Sequence, residues 1–225
     1  MLKTTKNLEK GYQALLVEQE KKRAALEEEI TSIEEKIKVT IDPSRLPSHG
    51  TGVLALPLPD MILESCWGTN PVGDKNCITQ FFGNTDFSKT GVYQSKGHNG
   101  IDLRSDIGTQ IFAAERGIIE GVGDTDIGCR GASYGKWVLI RHPNNLSTLY
   151  AHLSQVAVAP GQQIQRNNTI GYSGKTGYAT GPHLHFTVFA TQGVQIQSIR
   201  SRVCGRMMTL PVSATNGYLN PLDYL

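Results

Sequence analysis

Between Ile41 and Asp60 the chain reads IDPSRLPSHGTGVLALPLPD. Four prolines and two glycines in that span bar any helix from crossing it, which cuts the chain into two parts of different character. Residues 1–39 contain no proline and a single glycine, Gly11, and are rich in Lys, Glu, Leu and Ile. This composition predicts one long helix. Leu26, Ile30, Ile33 and Ile37 recur at steps of four and three and lay an apolar seam along one side, the pattern of a coiled coil. Carried towards the N-terminus, the same register meets Arg23, Gln19 and Glu9 among Leu16, Tyr12 and Leu2, so the seam is interrupted. Two readings stay open: a stalk that self-associates, and a helix that packs on its own domain.

From residue 61 onward, short β-branched or aromatic segments such as ITQFFG, GIIEGVG, KWVLIRH, LSTLYAHL and HLHFTVFA alternate with glycine turns. Glycine makes up 24 of the 225 residues, above the usual share of about 7%, and favours a turn-rich, mostly β domain. The expected organisation is a helix or coiled-coil segment over 1–39, a Pro/Gly-rich linker over 40–60 and a β domain over 61–225. The stretch VAPGQQIQRNNTIGYSGKTG has the pattern of a lipoyl-type hairpin, but Lys175 falls after the second strand rather than at the tip, which argues against a carrier lysine.

A net charge of +2, with Lys and Arg scattered among Asp and Glu, offers no footprint for nucleic acid or an anionic membrane. No apolar run approaches the ~18 residues of a spanning helix, and the first thirty residues lack the apolar stretch of a signal peptide. Four cysteines without a CxxC spacing argue against a thiolate metal site and for disulfides, hence for an oxidising compartment outside the cytoplasm. Of the three pairings, Cys66 with Cys77 and Cys129 with Cys204 are preferred.

The chemistry concentrates in the histidines. GPHLHFTVF places His183 and His185 on one strand face, with Leu184 and Phe186 turned to the core. Two imidazoles sharing one small space need partners, and a metal ion is the economical one; paired surface histidines on an edge strand are the competing account. KGHNGIDLRS adds His98 and Asp102 at a spacing that shares a face in either extended or helical geometry, and Gly100 favours the extended one. LSTLYAHLS places His152 beside Tyr150 on one strand face by simple alternation. Of six histidines, only His49 in the linker and His142 before Pro143 lack such company; both read as structural or exposed.

HNGID, YAHL and GPHLHF, in this order and at these separations, resemble the lysostaphin-like (LytM-type) zinc metallopeptidases of bacterial cell walls. The resemblance spans about residues 78–190 and the NPLDYL ending, and leaves out the helix. It implies a small, mostly antiparallel β-sandwich with an open groove, of the duplicated hybrid motif type. It further implies one Zn²⁺ per domain held by His98, Asp102 and His185, with His152 and His183 as the catalytic pair. Three protein ligands leave the fourth position of a tetrahedral ion open, as a hydrolytic site requires.

The implied activity is hydrolysis of peptide bonds in the stem or cross-bridge peptides of peptidoglycan. The alternative is a regulatory wall-binding protein that activates other hydrolases. Many relatives carry Glu where this chain has Thr187, and Tyr93 corresponds only loosely to a tyrosine that steadies the reacting centre. The helix suggests one more expectation, that it restrains the domain and lays the linker across the groove, with His49 near the open metal position.

Overall fold

In a computed structural model the described residues are 2–67, 75–83 and 97–225, with side chains described from residue 9 onward. Tyr93 lies outside them. A single long helix, α1, runs from Leu2 to Glu34. It ends before the expected residue 39, in a turn at Glu35 and Lys36.

Fourteen strands follow among the described residues. The first group is β1 (Met61–Ser65), β2 (Asn76–Gln80), β3 (Ile101–Arg104), β4 (Gln110–Phe112) and β5 (Gly117–Asp124). The next is β6 (Lys136–Arg141), β7 (Leu146–Leu153), β8 (Gln155–Val156), β9 (Gln163–Ile164) and β10 (Thr169–Tyr172). The last is β11 (His183–Ala190), β12 (Val194–Arg200), β13 (Met207–Ser213) and β14 (Tyr218–Leu219). The main sheet has the order β1-β2-β3-β11-β7-β6-β5-β9, with β14 added to the far end of β11. All its ladders are antiparallel except β1 with β2. A three-stranded sheet, β4-β10-β8, and the hairpin β12-β13 complete the architecture. The fold is mostly β with one N-terminal helix.

The alternation that makes β7 and β11 strands also builds two cores. Tyr150, Leu184, Phe186 and Val188 point to one side with Ile101, Leu103, Val138 and Ile140. Leu149, Ala151 and Phe189 point to the other with Trp137 and Leu139. The second core is closed by the β12-β13 hairpin, through Met208, Leu210 and Val212, and by α1, through Leu26 and Ile30. The helical seam is therefore spent, in this part, on the chain's own β domain. Full burial of a residue such as Leu26 contributes about 1.5–3 kcal/mol. Glu29, on the same helix, accepts hydrogen bonds from Ser201 Oγ and the Arg202 backbone N–H, each at 2.8 Å. Nearer the N-terminus, Tyr12, Leu15, Leu16 and Val17 are exposed.

The Pro/Gly-rich stretch is bound to the domain along its length. Leu54 and Leu58 enter the first core, Gly50 N–H donates to the Asp223 carbonyl and Leu54 N–H to that of Tyr224. His49 is exposed and meets the Tyr224 ring edge-on at 5.3 Å, so it stands at the C-terminal segment and not at the histidine cluster. Cysteines pair as Cys66–Cys77 and Cys129–Cys204. His142 is buried, its Nδ1–H donating to the Arg116 carbonyl and its Nε2 meeting Thr148 Oγ1; its role is structural.

Candidate metal centre

The central strands bring the distant histidine motifs together. β11 lies between β3 and β7, with His185 opposite Asp102 on one side and Ala151 on the other. His98 precedes β3 and is held by a two-way backbone bridge with Gly83, each N–H donating to the other carbonyl at 2.8 Å. The HxxxD segment is thus extended, as Gly100 suggested. A Cβ at Gly100 would stand 2.5 Å from the Phe186 carbonyl oxygen and 3.0 Å from His185 Cε1, so only glycine lets the segment lie against β11.

One expectation fails in its geometry. Tyr150 and His152 do not share a face: Tyr150 is fully buried in the first core against Phe186, whereas the His152 ring faces His183 with centroids 4.6 Å apart. The reason is a β-bulge. Lys136 pairs with Leu153 but Val138 with Tyr150, so Ala151 and His152 together span a single step of β6. His152 adopts φ of 61°, and its N–H bonds the Tyr134 carbonyl. A bulge re-aims the side chain that plain alternation would have buried.

His98 Nε2, Asp102 Oδ1 and His185 Nδ1 converge. Asp102 Oδ1 lies 3.3 Å from His98 Nε2 and 2.9 Å from His185 Nδ1, and the two ring nitrogens are 3.1 Å apart. The outer nitrogen of each ring is anchored. His98 Nδ1–H donates to the Phe81 carbonyl at 3.1 Å, and His185 Nε2 meets the Thr187 hydroxyl at 2.9 Å. A carbonyl only accepts, so the His98 proton sits on Nδ1 and the Nε2 lone pair faces the cluster. The other two histidines are set in the same way. His152 Nδ1–H donates to the Thr176 carbonyl at 2.8 Å and His183 Nδ1–H to that of Gly181 at 2.9 Å, leaving both Nε2 atoms free to face inward. His183 Nε2 lies 3.6 Å from Asp102 Oδ1.

Electrostatics suit ligation. Burial alone would raise the Asp102 carboxyl, but the electrostatic pull and hydrogen bonding of His98 and His185 hold it well below the usual carboxylate range. Burial, then the neighbouring His183 and His185, keep His152 well below an ordinary imidazole. Burial also lowers His185. A carboxylate and two imidazoles within 4.8 Å of one another form a donor set that fits a borderline cation such as zinc.

A groove of about 710 Å³ runs over the cluster. Its floor holds the five side chains, its rims carry Trp67, Phe82 and Tyr178, and one wall comes from α1 through Glu27, Ile30, Thr31 and Glu34. That wall was not foreseen, and neither was the Tyr134 hydroxyl, which accepts from Asn99 Nδ2 at 3.0 Å while its ring stands 5.8 Å from that of His185. Tyr218 donates to the Glu34 carboxylate. Nothing in the spacing of Tyr134, Glu27 or Glu34 marks them; they reach the groove by tertiary packing.

The site is thus a His-Asp-His group able to hold a metal ion, set in an open groove of a mostly β domain. Residues 96–198 match the family model Peptidase family M23, and the chain carries a domain of that family. It is 35% identical over 107 residues to peptidoglycan DD-endopeptidase ShyA of Vibrio cholerae, covering 47% of this chain and 23% of that protein. It is 43% identical over 89 residues to the DD-carboxypeptidase/endopeptidase Mpg of Neisseria meningitidis, covering 40% and 19%. Its backbone matches a chain of the SpoIIQ–SpoIIIAH pore-forming complex at a TM-score of 0.50 and 21% identity, covering 76% of this chain and 90% of that one. The chain thus spans about a fifth to a quarter of the length of these curated relatives. α1 lies outside the matched segment.

Proposed function

We propose that this protein is a zinc-dependent endopeptidase that hydrolyses peptide bonds in peptidoglycan, acting outside the cytoplasm. The observation that carries the reading is the convergence of His98 Nε2, Asp102 Oδ1 and His185 Nδ1 within 4.8 Å of one another, with the His152–His183 pair beside them at 4.6 Å. Relatives named as peptidoglycan DD-endopeptidases support the substrate class, and two disulfides support the compartment.

In this reading His98, Asp102 and His185 hold the ion. When bound, it would supply Lewis acidity towards the scissile carbonyl and lower the pKa of water. His152 and His183, with Nδ1–H fixed on the Thr176 and Gly181 carbonyls, present Nε2 to the groove. Between them they take up the proton of the attacking water and steady the charge that develops on the carbonyl oxygen. Burial and the neighbouring His183 and His185 hold His152 well below an ordinary imidazole, so that its Nε2 lone pair is unprotonated at neutral pH. The rims, with Trp67 and Phe82, provide apolar surface along which an extended peptide lies. The complete set of five side chains speaks for hydrolysis rather than the regulatory alternative.

The test is digestion of purified sacculi by the full chain, by chelator-treated protein and by a His185→Ala variant. Soluble muropeptides are expected from the first alone. Equal release by all three, or none by the untreated protein supplied with zinc, contradicts the proposal.

A further inference from the structure

The groove has an unusual charge balance. Among the described residues that line it there is no Lys or Arg, while three carboxylates, Asp102, Glu27 and Glu34, face it. Asp102 is committed to the histidine cluster. Glu34 accepts from the Tyr218 hydroxyl. Glu27 has no hydrogen-bond partner among the described residues. The cation nearest to it along the helix, Arg23, is turned to the Tyr178 ring, its guanidinium carbon 3.7 Å from the centroid. Beneath that arginine the Tyr178 hydroxyl is itself buried, with no hydrogen-bond partner among the described residues.

Glu27 and Glu34 are two helical turns apart, hence on the same side of α1, with Ile30 and Thr31 between them. Glu29 and its bonds to Ser201 and Arg202 fix the helix against the β12-β13 hairpin, so this wall is built in and not a chance contact. A half-buried carboxylate whose opposing charge is only partial is costly. Burial, followed by the charge on Glu34, raises the Glu27 carboxyl to about 7, with Arg23 only partly opposing. A cation entering the groove removes that penalty.

We infer that α1 is a specificity wall of the peptide-binding groove, in which Glu27 receives an ammonium group carried by the substrate peptide. The ligand class is a peptide with a free primary amine, such as the side chain of a diamino acid, placed near the scissile bond. The inference rests on the endopeptidase reading for what occupies the groove and adds the charge of the occupant. It assigns a substrate-facing role to a helix that lies outside the matched family segment.

The probes are two fluorescein-labelled tetrapeptides that differ only in one lysine, free in the first and Nε-acetylated in the second. Binding to the full-length protein is read by fluorescence anisotropy, and cleavage of each peptide separately by chromatography. The wild type is expected to bind the free amine on the order of tenfold more tightly than the acetylated peptide. The preference should fall to near unity in Glu27→Gln and invert in Glu27→Lys. It should persist in Glu28→Gln, which removes a charge from the exposed side of the same helix. Equal affinity for both peptides in the wild type, or an undiminished preference in Glu27→Gln, overturns the inference. So does a Glu27→Gln variant that cleaves both peptides faster by one common factor, since α1 would then merely obstruct the groove. Cleavage without preference would leave the endopeptidase reading standing and this one refuted. A preference in binding with no cleavage of either peptide would do the reverse.

Discussion

Across the β3–β11 ladder His185 stands opposite Asp102, and its Nδ1 lies 2.9 Å from Asp102 Oδ1. Strand register alone creates this pair, joining residues 83 positions apart. A one-residue slip of either strand would put the two side chains on opposite faces of the sheet. Asp102→Asn keeps the shape and removes the charge that the two histidines hold ionised. We expect ion affinity, measured by competition with a chromogenic chelator, to fall at least about 100-fold, with the far-ultraviolet circular dichroism unchanged. Unchanged affinity would mean that the ladder pair is not a ligand pair.

Thr187 supports His185 from behind, its hydroxyl 2.9 Å from Nε2. An outer hydrogen bond fixes ring orientation and tautomer, and its loss weakens metal binding by about 10–100-fold. Thr187→Val is expected to lie at the low end of that range, because the shape is conserved, and Thr187→Ser to bind the ion as the wild type does. The chelator competition reads both variants; equal affinity for Val and Ser would remove Thr187 from the site.

The residues that could be read in the sequence are those whose positions follow from local periodicity. Alternation in HLHF turns His183 and His185 to one face and Leu184 and Phe186 to the core, as β11 does, and Gly100 marked the extended HxxxD segment. Alternation failed at His152, where a bulge separates it from Tyr150; a single backbone residue at positive φ leaves no mark in the pattern of polar and apolar side chains. Sequence also left the fate of the helical seam open, since Leu26 and Ile30 would serve a second copy as well as the β12-β13 hairpin. The choice depends on tertiary partners such as Ser201 and Met208 that lie far along the chain.

Docking of α1 should depend on Glu29. Burial would raise its carboxyl, but hydrogen bonds from the Arg202 backbone and Ser201, with the Arg202 charge, hold it below the usual value. A depressed carboxyl adds stability above its unfolded value, and that contribution is lost as pH falls through the folded one. Amide exchange protection over α1 is therefore expected to decline below about pH 4. At neutral pH, Glu29→Ala is expected to cost about 2–4 kcal/mol in thermal unfolding. Protection in the variant equal to wild type at pH 7 would contradict this.

Glu27 has the opposite sign. Its carboxyl is raised from 4.5 to about 7, so the folded state binds more protons than the unfolded state between those values, and stability falls as pH rises through the window. Glu27→Gln, which does not titrate, should unfold at a higher temperature than wild type at pH 8. The gain is roughly 1–2 kcal/mol after solvent screening. At pH 4 the two proteins should unfold alike. A gain of equal size at both values would point to packing instead of charge.

The most direct measurement is the zinc content of the full chain after equilibration with the ion and removal of excess, compared with His98→Ala, Asp102→Ala and His185→Ala. One ion per chain in the wild type and essentially none in each variant is expected. A wild type without bound zinc, or variants that retain it at the same stoichiometry, would contradict the account.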